Sequence, residues 1–167
     1  NLPLLISRVG PRGRIIGIDY SEGMLAKARE KVSRHGWKNI DLYRDDAAVI
    51  AKVTAQVDAI ISTYCLEIVY DVETALKRAV GLLKPGGRIA VLDFHRVYPE
   101  KGVLRLLFPI YRRLLQYYGI DSPEDLDNEN LLRRWEHGES FLRDSLEDVS
   151  VQQFLFEMGI LITGRKA

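Results

Sequence analysis

The sequence predicts an α/β fold with a doubly wound, mostly parallel sheet, and three observations support this prediction. Short apolar runs rich in Ile and Val alternate with segments whose apolar residues recur at helical spacing, which is typical of βαβ units. Gly and Pro residues follow two of the predicted helices, where they mark turns. The last two strand-like runs are separated by only two residues, so they predict a C-terminal antiparallel hairpin.

Each element follows from its local pattern. Arg14 to Ile18 is a β-branched run of the buried parallel type, and Ser21 can cap the helix after it. A region rich in Asp, Glu and Asn predicts a polar connection or short helix at 121–137. Strands are predicted near 14–18, 39–43, 57–63 and 87–94, helices near 2–9, 22–35, 71–83 and 102–118, and the hairpin at 149–156 and 159–164.

Length and charge limit the class of protein. The 167 residues suffice for one domain with a sizeable core, so a single domain is predicted over 1–167, with a lid-like insertion at 96–137. Because 24 basic and 23 acidic residues nearly cancel, no nucleic acid partner is predicted. The single cysteine, Cys65, excludes an internal disulfide and favours a reducing, cytoplasmic location.

Asp19 is the first candidate functional residue, because it joins the strand at 14–18 to the helix at 22–35. A carboxylate at the carboxyl end of a parallel strand can accept hydrogen bonds from both hydroxyls of a ribose. The alternative is a solvated loop aspartate. The position therefore indicates a nucleoside ligand without proving one.

Further motifs follow Asp19 in a specific order. They are the strand at 39–43 ending in Arg44-Asp45-Asp46-Ala47, the run at 57–64, and Leu82-Leu83-Lys84-Pro85-Gly86-Gly87 leading into the strand that ends at Phe94. In order and interval these motifs resemble the class I S-adenosylmethionine-dependent methyltransferases, in the branch of the ubiquinone and menaquinone C-methyltransferases. The resemblance covers nearly the whole chain and implies a Rossmann-like sheet, S-adenosylmethionine as cofactor and no metal.

The same resemblance bears on the start of the chain. In that family the first strand ends in a glycine-rich loop that leads into the first helix, whereas residues 1–6 already look like that helix. No Gly-x-Gly-x-Gly occurs here. We therefore expect the first strand and the glycine-rich loop to be absent from this chain, which would leave the neighbours of the central strand with an unpaired edge.

The resemblance assigns cofactor contacts to the first half of the chain. It implies that Asp19 binds the ribose hydroxyls, that Tyr20 lies against the adenine, and that Met24 lines the same pocket. For Tyr20 and Met24 the alternative is core packing. Asp46 is expected to receive the adenine amino group, with the Ala47 amide at the ring, and Asp45 is its rival for that role.

Further candidate site residues lie at the ends of the strands predicted at 57–63 and 87–94. Ser62, Thr63 and Tyr64 are expected at the carboxyl edge, where ligands bind in open α/β sheets. The Tyr64 ring could stabilise a sulfonium by cation–π attraction, or it could simply pack at the strand end. His95 directly follows the strand at 87–94 and is the candidate general base, with a structural histidine as the alternative.

The segment at 102–118 bears on the methyl acceptor. Its apolar stripe and its arginines predict a lid over a small or amphiphilic acceptor, such as a lipid amine or a quinone, or peripheral contact with a membrane. Core packing is the alternative. Quinone methyltransferases usually carry an Arg-Asn pair where this chain has Glu67 and Ile68, which counts against a quinone.

Two other function classes stay open. A nicotinamide-dependent oxidoreductase would also use an acid at Asp19, but the final hairpin and the Asp46-Ala47 pair fit it poorly. A noncatalytic nucleoside-binding or interaction module would bind without transferring a methyl group. Titration with S-adenosylhomocysteine and with NAD separates these classes.

Overall fold

The computed structural model describes residues 1–69, 71–96, 105–110, 113, 128–155 and 157–167. The chain divides into two compact units, residues 1–55 and residues 56–167, and each is described by itself. Within the described ranges, no helix combines the length and the apolar character needed to cross a membrane.

The first unit is built on two parallel strands. Helix α1 (Leu2–Val9) precedes strand β1 (Ile15–Asp19), and helix α2 (Glu22–His35) connects β1 to strand β2 (Ile40–Arg44). The two strands pair in register from their first residues to their last. Because both strands run in the same direction, their carboxyl ends lie side by side.

The second unit holds a four-stranded sheet with the order β3-β4-β6-β5. Strand β4 pairs parallel with β3 and antiparallel with β6, and β5 completes the predicted hairpin with β6. In chain order the elements are β3 (Val57–Thr63), a short 3₁₀ helix (Leu66–Ile68), α3 (Val72–Leu82), β4 (Leu83–Phe94), α4 (Asn128–Ser145), β5 (Glu147–Phe154) and β6 (Gly159–Arg165).

The core of the second unit lies on one face of β4 and β6, where alternate residues of each strand are buried. Ile89, Val91 and Ile162 are 2% exposed or less, because β4 has a strand on each side and helices pack on this face of the sheet. All three are β-branched and share one face, since Val91 pairs with Ile162 and side chains alternate along a strand. The α/β fold and the C-terminal hairpin predicted from the sequence are therefore confirmed.

Strand β4 begins earlier than the sequence predicts. The prediction starts it near residue 87, after a turn formed by Lys84-Pro85-Gly86-Gly87, whereas it begins at Leu83 and includes that tetrapeptide. Gly86 has a φ of 76°, which glycine adopts without steric cost. The Gly86 amide and the Gly87 carbonyl both bond to the backbone of Lys166 at 2.9 Å, so the tetrapeptide stays attached to the chain after β6.

Helix α4 corrects the prediction of a polar connection or short helix at 121–137. Residues 121–127 lie outside the described residues, and an 18-residue helix begins at Asn128. Leu131, Trp135 and Leu142 are 2% exposed or less and lie on one face at spacings of four and seven residues. The abundant charged residues between them hide this narrow stripe.

Close contact between α3 and α4 depends on a glycine. A Cβ atom added at Gly138 would lie 2.9 Å from Leu76 Cδ1, closer than two carbon atoms can approach without rearrangement. Leu76 is itself 1% exposed. Gly138 therefore sets how near the two helices can pack.

Only part of the predicted helix at 102–118 can be compared with the structure. Residues 105–110 and 113 are helical, and the other positions lie outside the described residues. Leu106, Leu107 and Ile110 are 75%, 51% and 69% exposed. Of the three, Leu107 belongs to the apolar stripe predicted at 102–118, and at this position the core-packing alternative is wrong.

His95 lies at the end of β4, under the turn of the C-terminal hairpin. Its amide donates to the Met158 carbonyl at 2.9 Å, and its ring Nδ1 lies 3.3 Å from the same oxygen. A carbonyl can only accept, so Nδ1 carries the proton and Nε2 can accept from the Gln153 amide, 3.4 Å away. The residue is 3% exposed.

Lys166 stabilises the C-terminal end of α3, which leads to the first prediction. Its Nζ donates to the carbonyls of Val80 and Leu83 at 3.1 and 2.8 Å. The Val80 carbonyl also accepts the amide of Leu83, the residue that ends the helix. We predict that Lys166→Met, which keeps the length of the side chain, lowers the free energy of unfolding by about 1–2 kcal/mol. Urea denaturation followed by circular dichroism measures the change.

The control for this prediction is Arg133→Met. Arg133 forms an exposed ion pair with Glu129, one helical turn away, and such pairs contribute only about 0.3–0.5 kcal/mol. Equal losses in the two variants would contradict a capping role for Lys166.

The buried imidazole of His95 leads to a second prediction, on pH dependence. Burial lowers the pKa of His95 from 6.5, and Arg96 lowers it further, while the Met158 carbonyl, Glu139 and Glu157 act in the opposite direction. Below pH 6.5 the unfolded chain therefore binds a proton that the folded chain excludes. Stability should fall with decreasing pH in this range, by at most about 1.4 kcal/mol per pH unit for one proton.

His95→Gln should remove this part of the pH dependence, because glutamine does not titrate. The measurement is urea denaturation at several pH values between 7 and 5. His137→Gln, on an exposed position of α4, is the matched control and should leave the slope unchanged. A slope unaffected by His95→Gln would assign the acid sensitivity to other groups.

Candidate functional site

The carboxyl ends of β1 and β2 form the first cluster of predicted site residues. Asp19 pairs with Arg44 at the last position of the ladder, and the Asp45 amide then donates to the Asp19 carbonyl at 3.2 Å. The loops that carry Tyr20 and Asp46 therefore start from adjacent points. The structure thus brings the predicted residues of the first unit to one edge.

Asp19 is held in a defined orientation by the start of α2. Its Oδ1 accepts from the Ser21 amide at 2.8 Å, and the Ser21 hydroxyl accepts from the Met24 amide at 3.3 Å. The Asp19 side chain is half-buried, and no described residue donates to its second carboxylate oxygen. That oxygen can accept a hydrogen bond from a ligand.

The structure separates Asp45 from Asp46. Both oxygens of Asp45 accept backbone amides, Oδ1 from Asp46 at 2.9 Å and Oδ2 from Lys52 at 2.7 Å, so this carboxylate closes the loop after β2. Asp46 is exposed, and its Oδ1 accepts from the Ala48 amide at 2.8 Å. Of the two acids, Asp46 has the greater capacity to meet a ligand.

Tyr20 and Met24 are surface residues, so the core-packing alternative is wrong for both. Tyr20 is 70% exposed and Met24 is 55% exposed. The Arg44 guanidinium lies over the Tyr20 ring, 5.5 Å from its centroid, and Arg44 Nε donates to the Tyr20 carbonyl at 3.2 Å. This contact orients the ring while most of it stays accessible.

In the second unit, the last two residues of β3 and the residue after them lie at the carboxyl end of that strand. Ser62 and Thr63 are half-buried, and the Tyr64 amide donates to the Leu92 carbonyl at 2.9 Å. Tyr64 has a φ of 50°, a conformation that is strained for a bulky side chain. Its ring is 48% exposed and packs against the Phe94 ring at 5.1 Å between centroids.

Asp93 and His95, near the end of β4, are buried, whereas Tyr64 is partly exposed. His95, the predicted base, is enclosed under the hairpin with hydrogen-bond partners at both ring nitrogens. Asp93 is not among the residues predicted from the sequence, although it is 0% exposed. Its position in the sequence could have indicated a role, because Asp93 is a charged residue within the otherwise apolar run at the end of β4.

No group of three or more His, Cys, Asp and Glu side chains among the described residues lies close enough together to hold an ion.

Comparison with known proteins relates this geometry to characterised relatives. A demethylmenaquinone methyltransferase from Lactococcus lactis is 32% identical over 107 residues, which are 64% of this chain and 42% of the relative. A 2-phytyl-1,4-naphtoquinone methyltransferase from Thermosynechococcus vestitus is 38% identical over 101 residues, 60% of this chain and 43% of the relative. The chain spans less than half the length of each.

Two solved structures share the fold. A SAM-dependent methyltransferase from Aquifex aeolicus has a TM-score of 0.65 at 21% identity, covering 99% of this chain and 76% of its own. The N-methyltransferase NodS from Bradyrhizobium japonicum, in complex with S-adenosyl-L-homocysteine, has a TM-score of 0.58 at 17% identity, with coverages of 92% and 66%. A family model described as a methyltransferase domain matches residues 1–87. That match spans more than half of the sequence, so the chain belongs to the methyltransferase domain family.

Proposed function

We propose that the protein is an S-adenosylmethionine-dependent methyltransferase with a small or amphiphilic acceptor. One observation carries the proposal: in a chain of this family, the Asp19 carboxylate at the end of β1 is oriented by the Ser21 amide and keeps one oxygen for a ligand. A carboxylate at this point of a parallel sheet suits the vicinal hydroxyls of a ribose.

The surroundings of Asp19 fit the nucleoside part of the cofactor. Asp46 is exposed and can accept from the adenine amino group, and the accessible ring of Tyr20 offers a face for stacking. Met24 adds apolar surface beside them. Asp45 serves instead to close its own loop, because backbone amides occupy both of its oxygens.

In the second unit, Ser62, Thr63 and Tyr64 are proposed ligand contacts at the end of β3. Ser62 and Thr63 provide polar side chains, and the exposed ring of Tyr64 can stabilise positive charge by cation–π attraction. The strained backbone at Tyr64 supports a functional role, since such strain persists only where the surrounding structure enforces it.

The demands on catalysis are modest. The chemistry that S-adenosylmethionine supplies when bound is a methyl group on a sulfonium sulfur: the carbon–sulfur bond breaks, its electron pair stays on sulfur, and the methyl carbon bonds to the acceptor. The residues of the chain need mainly to align the acceptor and exclude water. We assign His95 to packing rather than proton transfer, because it is 3% exposed and both ring nitrogens have partners.

For the acceptor we propose a lipid-like naphthoquinol, the reduced form whose ring carbon donates an electron pair to the methyl group and then loses its proton to solvent water, which restores the aromatic ring. The names of the two relatives support this class. The exposed apolar side chains of Leu106, Leu107 and Ile110 support contact with the membrane in which such a molecule dissolves. A lipid amine is the second candidate, because the apolar, arginine-bearing segment at 102–118 also suits an amphiphilic amine, and Glu67 and Ile68 at the position of the Arg-Asn pair count against a quinone.

The cofactor proposal predicts a specific loss of binding. Asp19→Ala should weaken S-adenosylhomocysteine binding by about 1.5–3 kcal/mol, the usual loss for charge-assisted hydrogen bonds. Isothermal titration calorimetry measures it. The control is Asp41→Ala, which removes a carboxylate on β2 that forms an ion pair with Arg14. This variant should keep the wild-type affinity for S-adenosylhomocysteine. Unchanged affinity in folded Asp19→Ala, or tight binding of NAD instead, would refute the assignment.

The acceptor proposal predicts transfer of a labelled methyl group. Anionic vesicles carrying 2-phytyl-1,4-naphthoquinol should become labelled when incubated with the protein and methyl-labelled S-adenosylmethionine, because the apolar segment and the lipid-like ring meet at the membrane surface. Vesicles of phosphatidylethanolamine without quinol are the comparison. Label in the amine alone would favour the second acceptor, and binding of S-adenosylhomocysteine with no labelled product would indicate a noncatalytic module.

A further inference from the structure

A buried carboxylate connects the ends of β3 and β4. Asp93 is 0% exposed, and a carboxylate out of water is costly unless hydrogen bonds compensate for its lost hydration. Its Oδ1 accepts from the Phe94 amide at 2.9 Å. Its Oδ2 accepts from the amides of Cys65 and Leu66 at 3.1 and 2.8 Å.

The two amides on Oδ2 belong to the turn that follows Tyr64. Strand β3 ends at Thr63, and the Tyr64 amide still bonds to β4 through the Leu92 carbonyl. At Tyr64 the backbone turns into the left-handed region, with a φ of 50°. A bulky residue stays there only if neighbouring contacts hold it, and the next two amides supply them through Asp93.

Local stability alone does not require so distant a partner. Cys65 is the N-cap residue of the 3₁₀ helix at Leu66–Ile68, and its side chain makes no capping hydrogen bond. A short polar residue at that position could cap the helix locally. The carboxylate used instead lies 27 and 28 residues away in sequence, so it fixes the turn relative to β4 as well as capping it.

The end of β4 is itself firmly held. Trp135 of α4 is 2% exposed, and its indole Nε1 donates to the Phe94 carbonyl at 3.0 Å. The Phe94 ring in turn packs against the Tyr64 ring, tilted by 36°. Asp93 therefore connects a rigid strand end to a strained turn that carries an exposed aromatic ring.

We infer that Asp93 is a positioning residue for methyl transfer: its carboxylate holds the turn at Cys65 and Leu66, and so sets the place of the Tyr64 ring at the end of β3. This inference rests on the proposed function. Asp93 acts through Tyr64, and it need touch neither cofactor nor acceptor.

The test is Asp93→Asn, which keeps the shape but replaces one accepting oxygen by an amino group that faces backbone amides. The amides of Cys65 and Leu66 should exchange with deuterium about ten-fold faster or more, as local opening becomes easier. The kcat for methylation of 2-phytyl-1,4-naphthoquinol should fall about ten- to a hundred-fold, because misalignment costs rate. The KM for S-adenosylmethionine should rise by a smaller factor than the factor by which kcat falls, because the proposed nucleoside contacts at Asp19, Tyr20 and Asp46 are unchanged.

Asp58→Asn is the matched control. Asp58 lies near the other end of β3 and pairs with Lys84 at 2.8 Å on the surface. Its loss should leave the exchange of both amides and the kcat unchanged. A similar fall in kcat in this variant would indicate general destabilisation.

A double-mutant cycle with Tyr64→Leu separates positioning from stability. If Asp93 acts through the ring, Asp93→Asn should lower kcat no further in a Tyr64→Leu background. Additive losses in an active protein would overturn this inference alone. A wild-type protein that neither binds S-adenosylhomocysteine nor transfers methyl groups would overturn the proposed function, and this inference with it.

Should Asp93→Asn fail to fold, the cycle can be run with Asp93→Glu. That variant keeps the charge but moves the carboxylate by one methylene, so it should fold with a reduced kcat. Wild-type kcat in folded Asp93→Glu, despite faster exchange of the Cys65 and Leu66 amides, would overturn the inference. Any loss of kcat beyond that of Tyr64→Leu in the cycle would overturn it as well.

Discussion

Parallel pairing of neighbouring strands is the constraint on which each compact unit depends. In the first unit it places the residues after β1 and β2 at one edge, where the Asp45 amide bonds to the Asp19 carbonyl at 3.2 Å. In the second unit it does the same for β3 and β4, through the Tyr64 amide and the Leu92 carbonyl at 2.9 Å. Polar and aromatic residues far apart in sequence become neighbours for this reason.

Strand β4 is the central element of the second unit. It has a strand on each side, and its inward residues are almost fully buried because α3 and α4 cover the sheet. The helices approach closely at Gly138, and Lys166 occupies the carbonyls at the end of α3. A rigid strand of this kind is a suitable base for a strained turn, since strain persists only where packing enforces it.

The four acids at the strand ends show how backbone amides decide what a carboxylate does. Asp45 and Asp93 accept amides at both oxygens and hold loops in place. Asp19 and Asp46 each accept one amide, which orients the carboxylate and leaves an oxygen for a ligand. Residue type alone does not distinguish these roles, because a carboxylate accepts from amides and from ligands equally well.

The sequence by itself determined the local elements, because the periodicity of apolar residues and the position of Gly and Pro are local properties. The strand at 14–18, the helix beginning after Ser21 and the C-terminal hairpin could all be read from them. The position of Asp19 likewise indicated a nucleoside ligand, and the order and spacing of the motifs after it indicated the family. The stripe in α4 was present too, but charged residues between its buried positions concealed it.

Only the tertiary structure decided what depends on contacts between distant residues. The hydrogen bonds of Asp45 and Asp46 differ, and Met24 lies on the surface. His95 is enclosed under the hairpin turn, and Asp93 accepts hydrogen bonds from amides after Tyr64. Each of these outcomes depends on which backbone groups lie within hydrogen-bond distance after the strands have paired. Such distances are set by the packing of whole elements, and no local pattern of residues records them.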